Sequence, residues 1–226
     1  MFVAFDKVFT LDNILFLLKG AGLSLMIAVL ALMFGLIIAI INIVFKRSNK
    51  ILKTISDVYV GVIRGTPLLV QILIIYSVIP GIYTAITGKI LRINPIIIGI
   101  IAMSINSGAY QTELLRSGIS GVDKGQWEAA SALCLDNSVT LKKIILPQAF
   151  KIIIPPMISE FITLFKDSSL LSCIGVVELL KGSQILGINY YDVMSPYLLA
   201  MIYYLTVTVI ITKIGSKIEK RLAESD

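Results

Sequence analysis

The chain has 226 residues, 57% of them apolar and only 15% charged, with a mean hydropathy of +0.91; a charge content so far below the roughly 25% of soluble domains excludes an ordinary water-soluble fold. The net charge of +6 comes from Lys and Arg gathered at the ends of apolar segments, which orients a membrane chain and does not point to nucleic acid. There is no His, so a Ser-His hydrolase or a zinc protease lacks its base and ligands, and no catalytic residue or metal site is expected; Cys134 and Cys173 do not make a disulfide framework.

The length accommodates about five or six spans of roughly 20 residues with their connections. Ile14 to Phe45 is the first, an apolar run that as a helix reaches about 48 Å against a hydrocarbon core near 30 Å, so it must tilt, bend or project. It far exceeds the apolar core of a signal peptide, about 7–15 residues, and is expected to remain in the protein. Its Gly20, Gly22, Ser24 and Gly35 suit helix packing. The second span runs from about Val58 to Ile79 and the third from about Pro95 to Leu115. Gly65-Thr66-Pro67 is expected to interrupt the second and Asn106-Ser107-Gly108 the third, and interruptions near mid-membrane present backbone groups to a solute. Gln71 and Asn106 have two uses open to them, contact with a substrate or hydrogen bonding between helices. Glu113 and Arg116, three apart near the cytosolic end of the third span, suit a local salt bridge or snorkelling.

A polar connection over about 117–151 follows. Asp123 with Gln126 three residues on is a variant of the capping box and starts a helix through Trp127 to Leu133. Asp136-Asn137-Ser138 offers a turn and a second cap, and a second short helix from Val139 to Ile145 is expected to end near Pro147, which lacks an N–H and restricts the residue before it. The fourth span, about Pro156 to Leu180, carries Glu160, Lys166 and Asp167. A charged side chain at the bilayer centre costs about 2.5–3.5 kcal/mol on insertion scales, which makes these residues functional candidates. Glu160 and Asp167 fall within about 20° of each other on a helix, with Thr163 beside them. Carboxylates for an amino group and a nearby cation for a carboxylate suit a zwitterionic amino acid; an internal ion-pair network holding helices together is the alternative. Gly182 to Pro196 reads as an external re-entrant or surface segment, and the fifth span is about Tyr197 to Thr212.

The fold class expected is therefore all-α, a polytopic bundle of five membrane helices forming one domain over 1–226. Assigning each Lys and Arg to its connection places fourteen on one side and six on the other, so the N-terminus is expected outside, and the C-terminus and the 117–151 loop in the cytoplasm.

Within that loop, Glu128-Ala129-Ala130 is followed after three residues by Cys134 and after nine more by Ile144-Ile145-Leu146-Pro147. Together with Arg64-Gly65-Thr66-Pro67-Leu68-Leu69-Val70-Gln71, Asn106-Ser107-Gly108-Ala109-Tyr110 and Lys166-Asp167-Ser168-Ser169-Leu170, this resembles the permeases of ATP-binding-cassette (ABC) importers, in particular the polar amino-acid branch with its EAA loop, from about Thr54 to the C-terminus. The family carries Gly where this chain has Cys134; ordinary helical geometry is expected there, with the turn carried by Asp136-Asn137, which tolerate left-handed backbone.

The resemblance implies a type I importer permease of a bacterial inner membrane that moves a polar amino acid of the histidine, glutamine, arginine or cystine kind into the cytoplasm. It implies two nucleotide-binding subunits that hold the ATP and magnesium, a second permease in a homodimer or heterodimer, and an extracytoplasmic binding protein. No G-x-x-x-x-G-K-[ST] phosphate loop occurs in this chain, in keeping with ATP bound elsewhere. The helix around Glu128 becomes the coupling helix, with Glu128, Ala129 and Ala130 allowing close approach and Trp127 and Leu133 as anchors; an ordinary connecting helix is the alternative. Thr66, Gln71, Asn106, Ser107, Glu160 and Asp167 are the expected substrate contacts. A self-contained secondary transporter or channel, coupled to ions through Glu160 and Asp167, is the rival, opposed by the absence of inverted repeats.

Overall fold

The computed structural model describes residues 8–224, so Lys7 in the charge assignment and the extreme termini lie outside the described residues. Among them every regular element is helical. Helix α1 (Leu11–Arg47) opens on Thr10, whose hydroxyl accepts the Asn13 N–H, and ends with Lys46 and Arg47 in its last turn, where cations complement the helix dipole. Asn49 caps α2 (Lys50–Arg64) in the same way. Then come α3 (Leu68–Thr87), α4 (Pro95–Ser120), α5 (Lys124–Ala132) and α6 (Asn137–Thr140). A π turn (Leu141–Ile145) leads into α7 (Leu146–Asp167), whose last turn tightens into a 3-10 segment (Ser168–Ile174); α8 (Leu179–Tyr190) and α9 (Met194–Ala223) complete the chain.

Four helical runs are long and apolar enough to cross a membrane: Leu11–Arg47, Leu68–Thr87, Asn137–Ile174 and Met194–Leu222. Helix α4, expected as the third span, is less apolar because Ser104, Asn106, Ser107, Gln111 and Thr112 lie along it, all buried. It is the central helix, packed most extensively on α1 and next on α7. Small residues make that packing possible. A Cβ on Gly35 would come 2.7 Å from the Gln111 amide nitrogen, and one on Gly108 would come 2.7 Å from Ile38 Cγ2. Gly22, also assigned to packing from sequence, instead faces open space.

The main core joins Ile27, Ala31, Ile72, Met103, Phe165 and Leu171 from α1, α3, α4, α7 and the 3-10 segment. A second cluster, including Leu17, Leu179 and Leu199, holds α8 and α9 against the N-terminal half of α1. A third, of Val122, Ile145, Ala149 and Ile153, seats Trp127 and with it α5.

Two expected boundaries are corrected and a third is borne out. The break at Asn106-Ser107-Gly108 does not form: α4 is continuous, because the Asn106 and Ser107 side chains bond across the bundle instead of competing for their own backbone, and Gly108 serves close approach. The short helix does not end at Pro147 either. Pro lacks an N–H and its ring crowds the carbonyl one turn back, but the π turn just before it widens the helix, the Leu146 N–H bonding back to the Leu141 carbonyl, so the chain passes without interruption from α6 into α7. The break at Gly65-Thr66-Pro67 does form, but it splits the expected second span into α2 before it and α3 after it.

Candidate functional site

Where α2 ends, the last carbonyls of the helix lose their intrahelical partners. Gln71, one turn into α3, supplies them: its amide nitrogen donates to the Ile63 carbonyl at 2.9 Å, the Thr66 carbonyl at 3.1 Å and the Thr66 hydroxyl at 2.9 Å. Its amide oxygen accepts from Asn106 Nδ2 at 3.1 Å. The next residue of α4, Ser107, donates its hydroxyl to Glu160 Oε1 of α7 at 2.7 Å, and Gln111 Nε2 donates both to Ser107 Oγ at 2.9 Å and to the Leu32 carbonyl of α1 at 3.0 Å. One polar line thus runs from the α2–α3 break through α4 to α7.

Five of the six expected site residues lie on this line. Gln71 is spent on healing the helix break, which ties Thr66 to it. Asp167 makes none of these bonds but stands two turns along α7 on the face of Glu160, and both carboxylates are half-buried. Neither belongs to any of the three ion pairs among the described residues, which join Lys46 to Asp57 and Glu113, and Arg116 to Glu113. Lys166 is exposed and joins none of them. Among the described residues, then, neither Glu160 nor Asp167 has a cation within ion-pair distance. Half-buried carboxylates without an ion-pair partner are acceptors for a positively charged or N–H-rich group.

The Glu113–Arg116 salt bridge expected from their spacing forms at 2.8 Å, and Lys46 adds a second cation to Glu113 at 2.8 Å. Sequence reading passed over two residues. Gln111 is fully buried, and its amide oxygen has no hydrogen-bond partner; the signal for it was its place four residues after Ser107 on one helix face. Glu178 is also fully buried, capping α8 through the Leu180 and Lys181 N–H groups at 2.8 Å while accepting from the Tyr204 hydroxyl at 3.1 Å. Glu178 was hidden because a capping role needs no spacing pattern beyond one acidic residue.

On α5 the expected coupling residues divide. Glu128 and Ala129 are exposed and Leu133 is 72% exposed, whereas Ala130 is buried and Trp127 packs inward on the third core cluster. Gln148 of α7 donates to Gln126 of α5 at 3.1 Å, a second tie between the two helices. Cys134 departs from expectation. Its φ is +55°, while Asp136 has extended backbone and caps α6. The Cys134 N–H bonds to the Ser131 carbonyl and the Leu135 N–H to the Ala130 carbonyl, a Schellman closure that demands a left-handed residue at the position Cys134 occupies.

Residues 31–224 match the family model described as binding-protein-dependent transport system inner membrane component. The putative glutamine transport system permease protein GlnP of Rickettsia bellii (strain RML369-C) is 38% identical over 214 residues, spanning 94% of this chain and 95% of that protein. The arginine transport system permease protein ArtQ of Bacillus subtilis (strain 168) is 35% identical over 218 residues, 96% of this chain and 97% of that protein. Among solved structures, the crystal structure of an amino acid ABC transporter with histidines is similar with a TM-score of 0.89 at 33% identity, covering 98% of this chain and 100% of that one.

Proposed function

We infer function from membership: this chain belongs to the binding-protein-dependent transport system inner membrane components and is the permease subunit of an amino-acid ABC importer, a multi-pass protein of the cell membrane. That membership displaces the secondary transporter or channel weighed from the sequence. Its similarity to glutamine and arginine permeases supports a polar amino acid as cargo. ATP hydrolysis belongs to partner subunits, and a second permease and an extracytoplasmic binding protein complete the importer. Five spans are proposed, with α4 the fifth membrane helix beside the four apolar ones: at 26 residues it reaches about 39 Å, enough to cross, and its polar side chains are turned into the bundle.

The observation that carries the substrate site is the pair of half-buried carboxylates, Glu160 and Asp167, on one face of α7 without an ion-pair partner among the described residues, Glu160 accepting from the Ser107 hydroxyl. Glu160 receives the ammonium of the amino acid, with Asp167 two turns further along the same face and Asn106 and the break at Thr66 on the neighbouring elements. Helix α5 docks the ATPase through Glu128, Ala129 and Leu133. Because Trp127 and Gln126 bind α5 to α7, and α7 runs without a break past Pro147, a push on α5 reaches Glu160 along one helical rod. The fourteen steps from Leu146 to Glu160 span about 21 Å.

Glu160→Gln tests this reading. The variant keeps shape and hydrogen bonding but loses the charge, and a charge-assisted bond is worth about 1.5–3 kcal/mol, so affinity at the membrane site is expected to fall about ten- to a hundredfold. The measurement is amino-acid binding to the detergent-purified complex free of binding protein. Wild-type affinity in a well-assembled Glu160→Gln complex eliminates Glu160 as the ammonium ligand.

A further inference from the structure

A cleft of about 430 Å³ opens between the C-terminal end of α1, the first turns of α2 and the end of α4, with Lys46, Arg47, Lys53, Asp57, Glu113 and Arg116 among its lining. Four of these side chains cancel. Lys46 pairs with Glu113 at 2.8 Å and with Asp57 at 3.2 Å, and Arg116 pairs with Glu113 at 2.8 Å. Arg47 and Lys53 face the same cleft, are exposed, and take part in no ion pair among the described residues. The cleft therefore holds two uncompensated positive charges beside an ion network that has already consumed its carboxylates.

We propose that this cleft binds the phosphate of an anionic phospholipid, with Arg47 and Lys53 as its cationic clamp. Charge complementarity calls for an anion, and α1 shows which kind. Ile40 and Met33 precede Arg47 by seven and fourteen residues and share its face of the helix to within about 40°. They are 52% and 59% exposed, and Val44, one turn from Arg47, is 56% exposed. An apolar stripe thus runs away from the clamp along a membrane helix, giving an acyl chain a surface directly beneath the headgroup. A free phosphate would use the cations and leave the stripe unexplained. The charge split of the sequence puts this end of α1 on the cytoplasmic face, the leaflet whose anionic lipids attract Lys and Arg close to the membrane.

The test uses the complete transporter, permease with its ATPase subunits, in a non-ionic detergent. Retention of dioleoyl phosphatidylglycerol is measured by native mass spectrometry, with dioleoyl phosphatidylcholine and inorganic phosphate as the comparison probes. Phosphatidylglycerol is expected to be retained, phosphatidylcholine to be lost, and inorganic phosphate not to displace the lipid at equal concentration. Each basic residue near an anionic headgroup is worth about fivefold, so Arg47→Gln with Lys53→Gln should weaken retention about thirtyfold. Lys220→Gln with Arg221→Gln, which removes the same charge from exposed positions in the last turn of α9, should leave it unchanged. If the first double variant fails to assemble, its two single variants decide, each expected about fivefold weaker. Undiminished retention in the Arg47 and Lys53 variants overturns the proposal, as does an equal loss in the α9 variant or displacement of the lipid by inorganic phosphate.

Discussion

Cys134 holds a left-handed backbone that costs an L residue about 1–2 kcal/mol, yet the closure of α5 leaves no other geometry for it, since the Leu135 N–H must reach back to Ala130. Cys134→Gly is therefore expected to stabilise the permease by about 1 kcal/mol, part of the gain being lost to the greater freedom of glycine in the unfolded chain. Thermal melting of the purified complex should show a rise of about 2–4 °C; an unchanged or lower midpoint would mean that the cysteine side chain earns its place by a contact. From sequence the turn was assigned to Asp136-Asn137 because those residues tolerate left-handed backbone, but Asp136 is used as a cap instead, its carboxylate taking the Ser138 N–H at 2.7 Å. Residue preference identified the turn and misplaced it by two positions. Gln71 shows the same limit: its polarity marked it as functional, while the demand it meets, two carbonyls freed at a helix break, exists only once the break has formed.

Among the elements, α4 depends most on close approach. Gly108→Val would drive its side chain into Ile38 and the Tyr59 hydroxyl, and overpacking of this kind costs about 1–3 kcal/mol. The control is Gly22→Ala on α1, which meets nothing within 4 Å in a helix interior and should leave stability unharmed or raise it by about 0.5–1 kcal/mol. Equal melting temperatures for the two variants would contradict the α1–α4 crossing. For α5, Glu128→Lys reverses an exposed charge on the proposed docking surface and should leave the permease inserted and assembled while separating ATP hydrolysis from uptake, because it would place an unpaired or repelling charge in the contact. Unchanged uptake in reconstituted vesicles, with normal assembly, would remove Glu128 from the coupling surface. The continuity of α7 past Pro147 is the path the proposed coupling would take, and it was illegible in the sequence because proline reads as a helix stop unless the π turn ahead of it is known.

At the scale of the whole molecule the expected topology has five spans, the N-terminus outside and the C-terminus in the cytoplasm, from the distribution of Lys and Arg. A tag after Asp226 should be inaccessible to a membrane-impermeant label in intact cells and become reactive once the membrane is opened; labelling of intact cells would overturn the orientation. By itself the sequence determined the membrane class, through a charge content too low for water. It also determined the identity of the permease, through the spaced Glu128 to Pro147 motif, and the residue types of the candidate site, since polar groups inside apolar segments are few enough to be counted. Tertiary structure decided which of those groups meet. Ser107 and Glu160 are 53 positions apart, and no local pattern relates them. Only the packing of α4 against α7, set by small residues whose partners lie on other helices, brings the carboxylate of Glu160 to the Ser107 hydroxyl.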